Sequence, residues 1–177
     1  GKPEYHRPSR FDLTYSRVAD EVVNSSLDAL TPLNENYYGA DAPNTPLFDS
    51  VGRLIELLSN TPDAANPNTS FLVMAITDGE ENSSQHWSAS RLTSKINELQ
   101  RTGRWTFVFR VPRGNAAALS RQFGIPRDNI LEWDQTEQGV AAATAATETA
   151  FGEYYSARSR GMTSTGKFYT NLADVSV

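Results

Sequence analysis

The 177-residue chain contains no cysteine, which excludes disulfides, thiolate metal sites and cysteine nucleophiles. Histidine is nearly absent too, with only two residues. His6 lies in a polar terminal stretch, and His86 beside Trp87 reads as an exposed helix-start residue before it reads as a substrate-orienting group. No apolar stretch approaches the length of a transmembrane helix, and Gly1-Lys-Pro-Glu4 has none of the character of a signal peptide. Sixteen Lys and Arg stand against 21 Asp and Glu, a net charge of -5. With no run of five or six like charges, the chain is poorly suited to nucleic acid or an anionic membrane, while a cation or a basic partner is electrostatically easier. Also missing are a Gly-x-Ser-x-Gly elbow, a Gly-x-x-x-x-Gly-Lys phosphate loop and a Gly-x-Gly-x-x-Gly turn, so hydrolase, P-loop and dinucleotide chemistries lose their main supports.

What is present centres on Phe71-Leu-Val-Met-Ala-Ile-Thr-Asp-Gly-Glu-Glu-Asn82. Six consecutive apolar residues, Phe71 to Ile76, are too few for a buried helix and too uniformly apolar for a half-exposed strand. They predict a central parallel strand covered on both faces. Ligands in open α/β sheets bind beyond the carboxyl ends of such strands, which makes Asp78 a candidate functional carboxylate. A plain Asp-Gly turn is the competing reading. Glu80 and Glu81 form either an acidic rim that tunes cation affinity or a solvated loop.

Residues 1–10 are polar with two prolines and read as an irregular arm. Phe11, Leu13 and Tyr15 alternate with polar residues, as in a short half-buried strand. From Arg17 to Leu30 two readings stand open: a helix carrying Val18, Val22, Val23, Leu27 and Leu30, or a hairpin return strand at Val22-Val23. Thr31 to Asn44 is a loop. A helix is expected from Thr45-Pro46, with Thr45 near its N-cap and Pro46 in its first position, to about Ser59, with Leu47, Val51, Leu54, Ile55 and Leu58 as its apolar stripe. Ser83-Ser84 offers caps for a helix from about Trp87 to Thr102, which Gly103 stops. Trp105–Val111 is a buried strand, Asn115–Phe123 a short helix ended by Gly124, and Asn129–Trp133 a third strand. Asp134 is a helix-capping group first and a site residue second. A long helix over Glu137–Arg160 carries Val140, Thr144, Thr147, Phe151 and Tyr154 on one side, and its alanines permit close approach to a sheet. Residues 161–177 read as a second arm, with Phe168 and Tyr169, like Tyr154 and Tyr155, packing on the domain rather than docking a partner.

Strand and helix thus alternate from residue 45 to 160 with connections long enough for right-handed crossovers, which predicts one α/β domain over residues 11–160: a three-layer open, mainly parallel sheet with helices on both faces. Two segments in this order resemble the von Willebrand factor A family of integrin-I-like domains. Asn44-Thr-Pro-Leu-Phe-Asp-Ser-Val-Gly52 is similar to the family's loop-to-helix segment, and Ile76-Thr-Asp-Gly-Glu-Glu-Asn82 to its strand-end Thr-Asp-Gly. The resemblance covers residues 11–160. It implies a Rossmann-like fold, a magnesium ion at the sheet crevice with Thr45 and Asp78 as ligands, and a coordination position left to a carboxylate on a partner protein.

The family's Asp-x-Ser-x-Ser loop after an apolar first strand is not evident here. Asp12-Leu-Thr14-Tyr-Ser16 has oxygen-bearing residues at that spacing, but no apolar run precedes it, and the tract also resembles the family's second-strand hairpin, the reading preferred here. The central first strand would then come from residues preceding Gly1, from a partner, or imperfectly from residues 1–10. The resemblance therefore implies a non-enzymatic domain that binds another protein, through Thr45, Asp78 and magnesium or through strand or arm exchange. The alternative is a structural or assembly subunit that keeps the fold without a working metal site.

Overall fold

The computed structural model describes the strand backbones of residues 10–13 and 16–19, together with residues 44–77 and 80–170. Strands β1 (Arg10–Leu13) and β2 (Ser16–Ala19) form an antiparallel hairpin in which Asp12 lies opposite Arg17 and Leu13 opposite Ser16. Asp12 and Ser16 therefore lie on two paired strands instead of in a loop after a strand, as a metal loop would have them, and Thr14 lies outside the described residues. The return strand starts at Ser16, earlier than Val22-Val23, which lies outside the described residues.

Helix α1 (Leu47–Ser59) leads to strand β3 (Phe71–Ile76), then α2 (Ala89–Arg101), β4 (Trp105–Pro112), α3 (Ala116–Phe123), a 3-10 turn at Arg127–Asn129, β5 (Ile130–Trp133) and α4 (Glu137–Ser159). Strands β3, β4 and β5 form a parallel sheet in that order, with Phe71 opposite Trp105 and Phe109 opposite Ile130. The fold is mixed α/β, as expected from the alternation of periodic segments.

Strand β4 shows why the apolar runs are continuous. Trp105, Phe107, Phe109 and Val111 join a core with Val51 and Ile55 of α1, Leu92, Ile96 and Leu99 of α2, and Phe123 of α3. Val108, on the opposite pleat, joins a second core with Ala150, Tyr154 and Ala157 of α4 and with Met162 and Phe168. Neighbouring residues of a strand point to opposite faces, so both faces of β4 are covered and every residue from Trp105 to Val111 is buried. Phe71 stacks on Trp105 at 4.2 Å between ring centroids, tying β3 to β4.

Helix ends follow local chemistry. Ser88 caps α2 by accepting the Arg91 N–H, and Thr136 caps α4 by accepting the Gly139 N–H. Gly103 and Gly124 take positive φ (67° and 64°) just beyond α2 and α3, which glycine adopts without a Cβ penalty. Ser83 and Ser84 do not cap α2, whose start lies further along. In α4 the inward side is Ala143, Thr147, Ala150, Tyr154 and Ala157, rotated from the expected stripe, and Val140 is 43% exposed. Small side chains let the helix lie close to the sheet, nearest to β5, so alanines occupy the contact.

The segment after α4, expected as an arm, runs back against the sheet as far as Thr170. Phe168 is wholly buried, held by a hub at Asn129. The Asn129 amide donates to the carbonyls of Phe107 (3.0 Å) and Thr165 (2.9 Å), and its oxygen accepts the Phe168 N–H at 2.8 Å. Tyr154 is buried as expected, whereas Tyr155 is half-exposed.

Candidate functional site

The candidate site lies where the loop before α1 meets the loop after β3. Residues Thr45 and Asn82 bind each other reciprocally: the Thr45 N–H donates to the Asn82 side-chain oxygen (2.7 Å), and the Asn82 N–H donates to the Thr45 carbonyl (3.2 Å). Thr45 thereby sits at the carboxyl end of β3, where ligands of parallel sheets bind. Its expected role as N-cap is not what the structure shows. Pro46 occupies that position, with no side-chain cap.

The caps of α1 come instead from the other loop. Glu81 Oε2 accepts the Phe48 N–H (2.8 Å), and Ser84 Oγ accepts the Asp49 N–H (3.0 Å). Glu81 also accepts the N–H groups of Ser83 (2.9 Å) and Ser84 (2.7 Å) and the Ser84 hydroxyl (2.7 Å). A carboxylate at a helix start also meets the positive end of the helix dipole. Partial burial pulls the Glu81 pKa upward, but the hydrogen bonds from Phe48, Ser84 and Ser83 outweigh it and hold the group below its ordinary value. Glu81 is thus neither a free acidic rim nor a solvated loop residue. Glu80 is exposed.

Asp49, 3% exposed, performs the reciprocal task. Its Oδ2 accepts the Gln85 N–H (2.8 Å), and its Oδ1 accepts those of His86 (2.9 Å) and Trp87 (2.7 Å). One turn further along α1, Gly52 leaves room for the Trp87 indole, which a Cβ there would meet at 2.3 Å. Arg91 lies 3.9 Å above that indole and donates to the His86 carbonyl at 2.9 Å, a cation–π contact that closes the loop from outside. His86 itself is exposed, as read from its position.

These two carboxylates decide how a cation fits. Their oxygens are turned toward protein donors, three backbone N–H groups and the Ser84 hydroxyl on Glu81 and three backbone N–H groups on Asp49, so neither offers a free face to a metal. Asp78, the other expected ligand, lies outside the described residues, and among those described no group of three or more His, Asp or Glu side chains is placed to hold a metal. Magnesium favours octahedral oxygen ligation with at least one or two carboxylates. The described donors, Thr45 alone, do not meet that need without Asp78 and a further loop.

Asp134, expected as a helix cap, instead pairs with Arg113 through two hydrogen bonds, to Nε (2.6 Å) and Nη2 (2.8 Å). That bond holds the Asp134 carboxyl below its usual range. At the adjacent strand end Glu132 caps α3, accepting the N–H groups of Gly114 (2.9 Å) and Ala116 (3.0 Å). Sequence reading missed the bond from Glu81 to α1 and those of Asp49 to the other loop, because the Phe48 N–H and the Gln85, His86 and Trp87 N–H groups are backbone donors more than thirty residues away. The available signal was Asp49-x-x-Gly52 in one helix and a lone Trp87 after an acidic turn. Comparison with family models, curated proteins and solved structures finds no match for this chain.

Proposed function

We propose that the chain is a non-enzymatic von Willebrand A-like domain, with the three-layer arrangement of that family, that binds another protein at the crevice formed by Thr45 and Asp78. Magnesium joins the contact where a further loop completes its ligand set, and a partner carboxylate takes the open coordination position. The observation that supports this reading is the two-way fastening of the Thr45 loop to the loop after β3. It brings the two segments that resemble the family together at a parallel strand end, and a site built on fixed elements loses little freedom on binding.

The test is thermal melting of the wild type, Asp78→Ala and Thr45→Ala with magnesium, manganese or EDTA. The reading expects a melting temperature raised by the cations in the wild type alone, since a ligand bound only by the folded state stabilises it. Equal melting with cation and with EDTA in all three proteins rules out the metal-dependent form. A second reading, an assembly subunit with the fold but no working metal site, is favoured by the committed oxygens of Glu81 and Asp49, and that same null result supports it.

A further inference from the structure

We infer that the face of the sheet beneath α4 holds a binding site for the carboxylate of a small, aliphatic monocarboxylic acid, with the Arg110 guanidinium and the Tyr169 hydroxyl as its donors. The inference stands apart from the metal-site reading and needs no cation. Arg110 lies two residues beyond Val108 on β4, so its side chain leaves the strand on the same face, under α4. It is 7% exposed. A guanidinium is not deprotonated in proteins, and buried charges are as a rule paired. Among the described residues no carboxylate forms an ion pair with Arg110, and its buried Nε has no hydrogen-bond acceptor.

Two further described donors on this face also have no acceptor. Tyr169 Oη is buried and unbonded, close enough to Arg110 to feel its charge. The neighbouring Thr147 hydroxyl donates elsewhere, to the Ala143 carbonyl at 2.7 Å. Burial raises the Tyr169 pKa, which keeps the phenol protonated as a donor. Trp133 lies opposite Pro112, two residues along from the Arg110–Leu131 pair and on the same face, and its indole Nε1 is likewise buried without an acceptor. A cation, an O–H and an N–H on one patch of sheet therefore share one need, an oxygen acceptor.

That need selects the ligand. One buried positive charge balances one negative charge, so a monoanion fits, whereas a phosphate dianion would bring a surplus charge into the interior. A carboxylate accepts two parallel N–H bonds from the Nε side of a guanidinium and keeps lone pairs for the phenol. The flanking strands place Ile76 and Leu131 opposite Arg110, on the same face. Ile76 is 58% exposed, so the approach to Arg110 runs past an apolar side chain at the carboxyl end of the sheet, where parallel sheets bind ligands. A slender acid matches that approach, with its apolar stem against Ile76 and its carboxylate inward.

The test is thermal melting of the 177-residue chain in EDTA, with sodium butyrate titrated at constant ionic strength and with sodium chloride and sodium phosphate as controls. Butyrate is expected to raise the melting temperature saturably, as a ligand bound only by the folded state does, and the control salts are not. Tyr169→Phe keeps the ring and removes one bond to a charged group, so the fitted dissociation constant should rise about tenfold or more. Arg110→Met should lose the butyrate effect and, with no acid present, melt no lower than the wild type, because an apolar side chain replaces an unpaired buried charge. No saturable effect of butyrate, an equal saturable effect of either control salt, unchanged affinity in Tyr169→Phe, or persistence of the effect in Arg110→Met would each overturn the assignment. So would an Arg110→Met protein that melts well below the wild type in buffer alone, since the charge would then already be paired with a carboxylate of this polypeptide. Because EDTA is present throughout, failure here leaves the cation experiment to stand or fall separately.

Discussion

Replacing Asp49 tests whether one buried carboxylate holds the loop that follows the candidate site. The side chain is 3% exposed and accepts three backbone N–H groups, of which that of Trp87 is buried and those of Gln85 and His86 are half-buried. In Asp49→Ala the Trp87 donor loses its partner without access to water, a penalty of about 1–3 kcal/mol, and the other two recover part of their bonding from solvent at about 0.5–1 kcal/mol each. The expected loss is roughly 2–5 kcal/mol, or a fall in melting temperature of roughly 5–20 °C at this chain length. Asp49→Asn separates charge from shape. Its single oxygen keeps the His86 and Trp87 bonds, while its NH2 group faces the Gln85 N–H, donor against donor, so the loss should be smaller, about 1–3 kcal/mol. Urea unfolding followed by tryptophan fluorescence and by far-ultraviolet circular dichroism measures both. If Asp49→Ala costs less than about 0.5 kcal/mol, or if Asn is as damaging as Ala, the loop is held by something other than these bonds.

Three further outcomes are expected. Gly52→Ala should destabilise by about 1–3 kcal/mol, because its Cβ meets the Trp87 indole at 2.3 Å, and should shift the emission of that indole; an unchanged denaturation midpoint would contradict the close contact. Glu81 has a folded pKa below its unfolded one, so its contribution is present above about pH 4.3 and is lost as pH falls through the lower folded value. Glu81→Gln should flatten that acid limb of the stability curve, and identical limbs would refute the assignment. Asn129→Ala removes three hydrogen bonds at a residue 1% exposed, which predicts a loss of about 2–4 kcal/mol and faster tryptic cleavage after Lys167. Unchanged cleavage there would show that Phe168 holds the segment unaided.

Legibility followed the range of the interactions. Strand β3, the Val51 and Ile55 face of α1 and the glycine stops at Gly103 and Gly124 are specified by neighbours within a few residues, and the sequence alone locates them. Helix α4 has its 3.6-residue period written mainly in alanine and threonine, which carry little apolar contrast, so the larger Val140 drew the expected stripe to the wrong side. The arm reading of residues 161–170 rested on polarity. It overlooked that Asn129, a polar residue at a strand start, could bond to the backbone at Phe107, Thr165 and Phe168 together. At the candidate site, the Thr45 loop and the strand end were visible as motifs. What fastens them was not, since Glu81 and Asp49 act on N–H groups, which have no sequence signature.

The two cores described above differ in size and in what closes them. Among the described residues, the one shared by α1, α2 and α3 contains 16 that are buried, whereas the one beneath α4 contains six and is sealed by a tail held by Asn129, by the Thr106 hydroxyl oxygen and by the Asp128 carbonyl. Opening free energy grows with the apolar surface exposed, so the two cores are expected to open as separate units, the smaller one at lower cost. Native-state hydrogen exchange should find α4 and residues 162–170 opening together at low denaturant, with β4 still protected from its other side by Phe107 and Phe109. Mechanical or thermal stress would then shed the C-terminal helix and tail first, exposing Val108 and Tyr154 while the face that carries the candidate site stays folded.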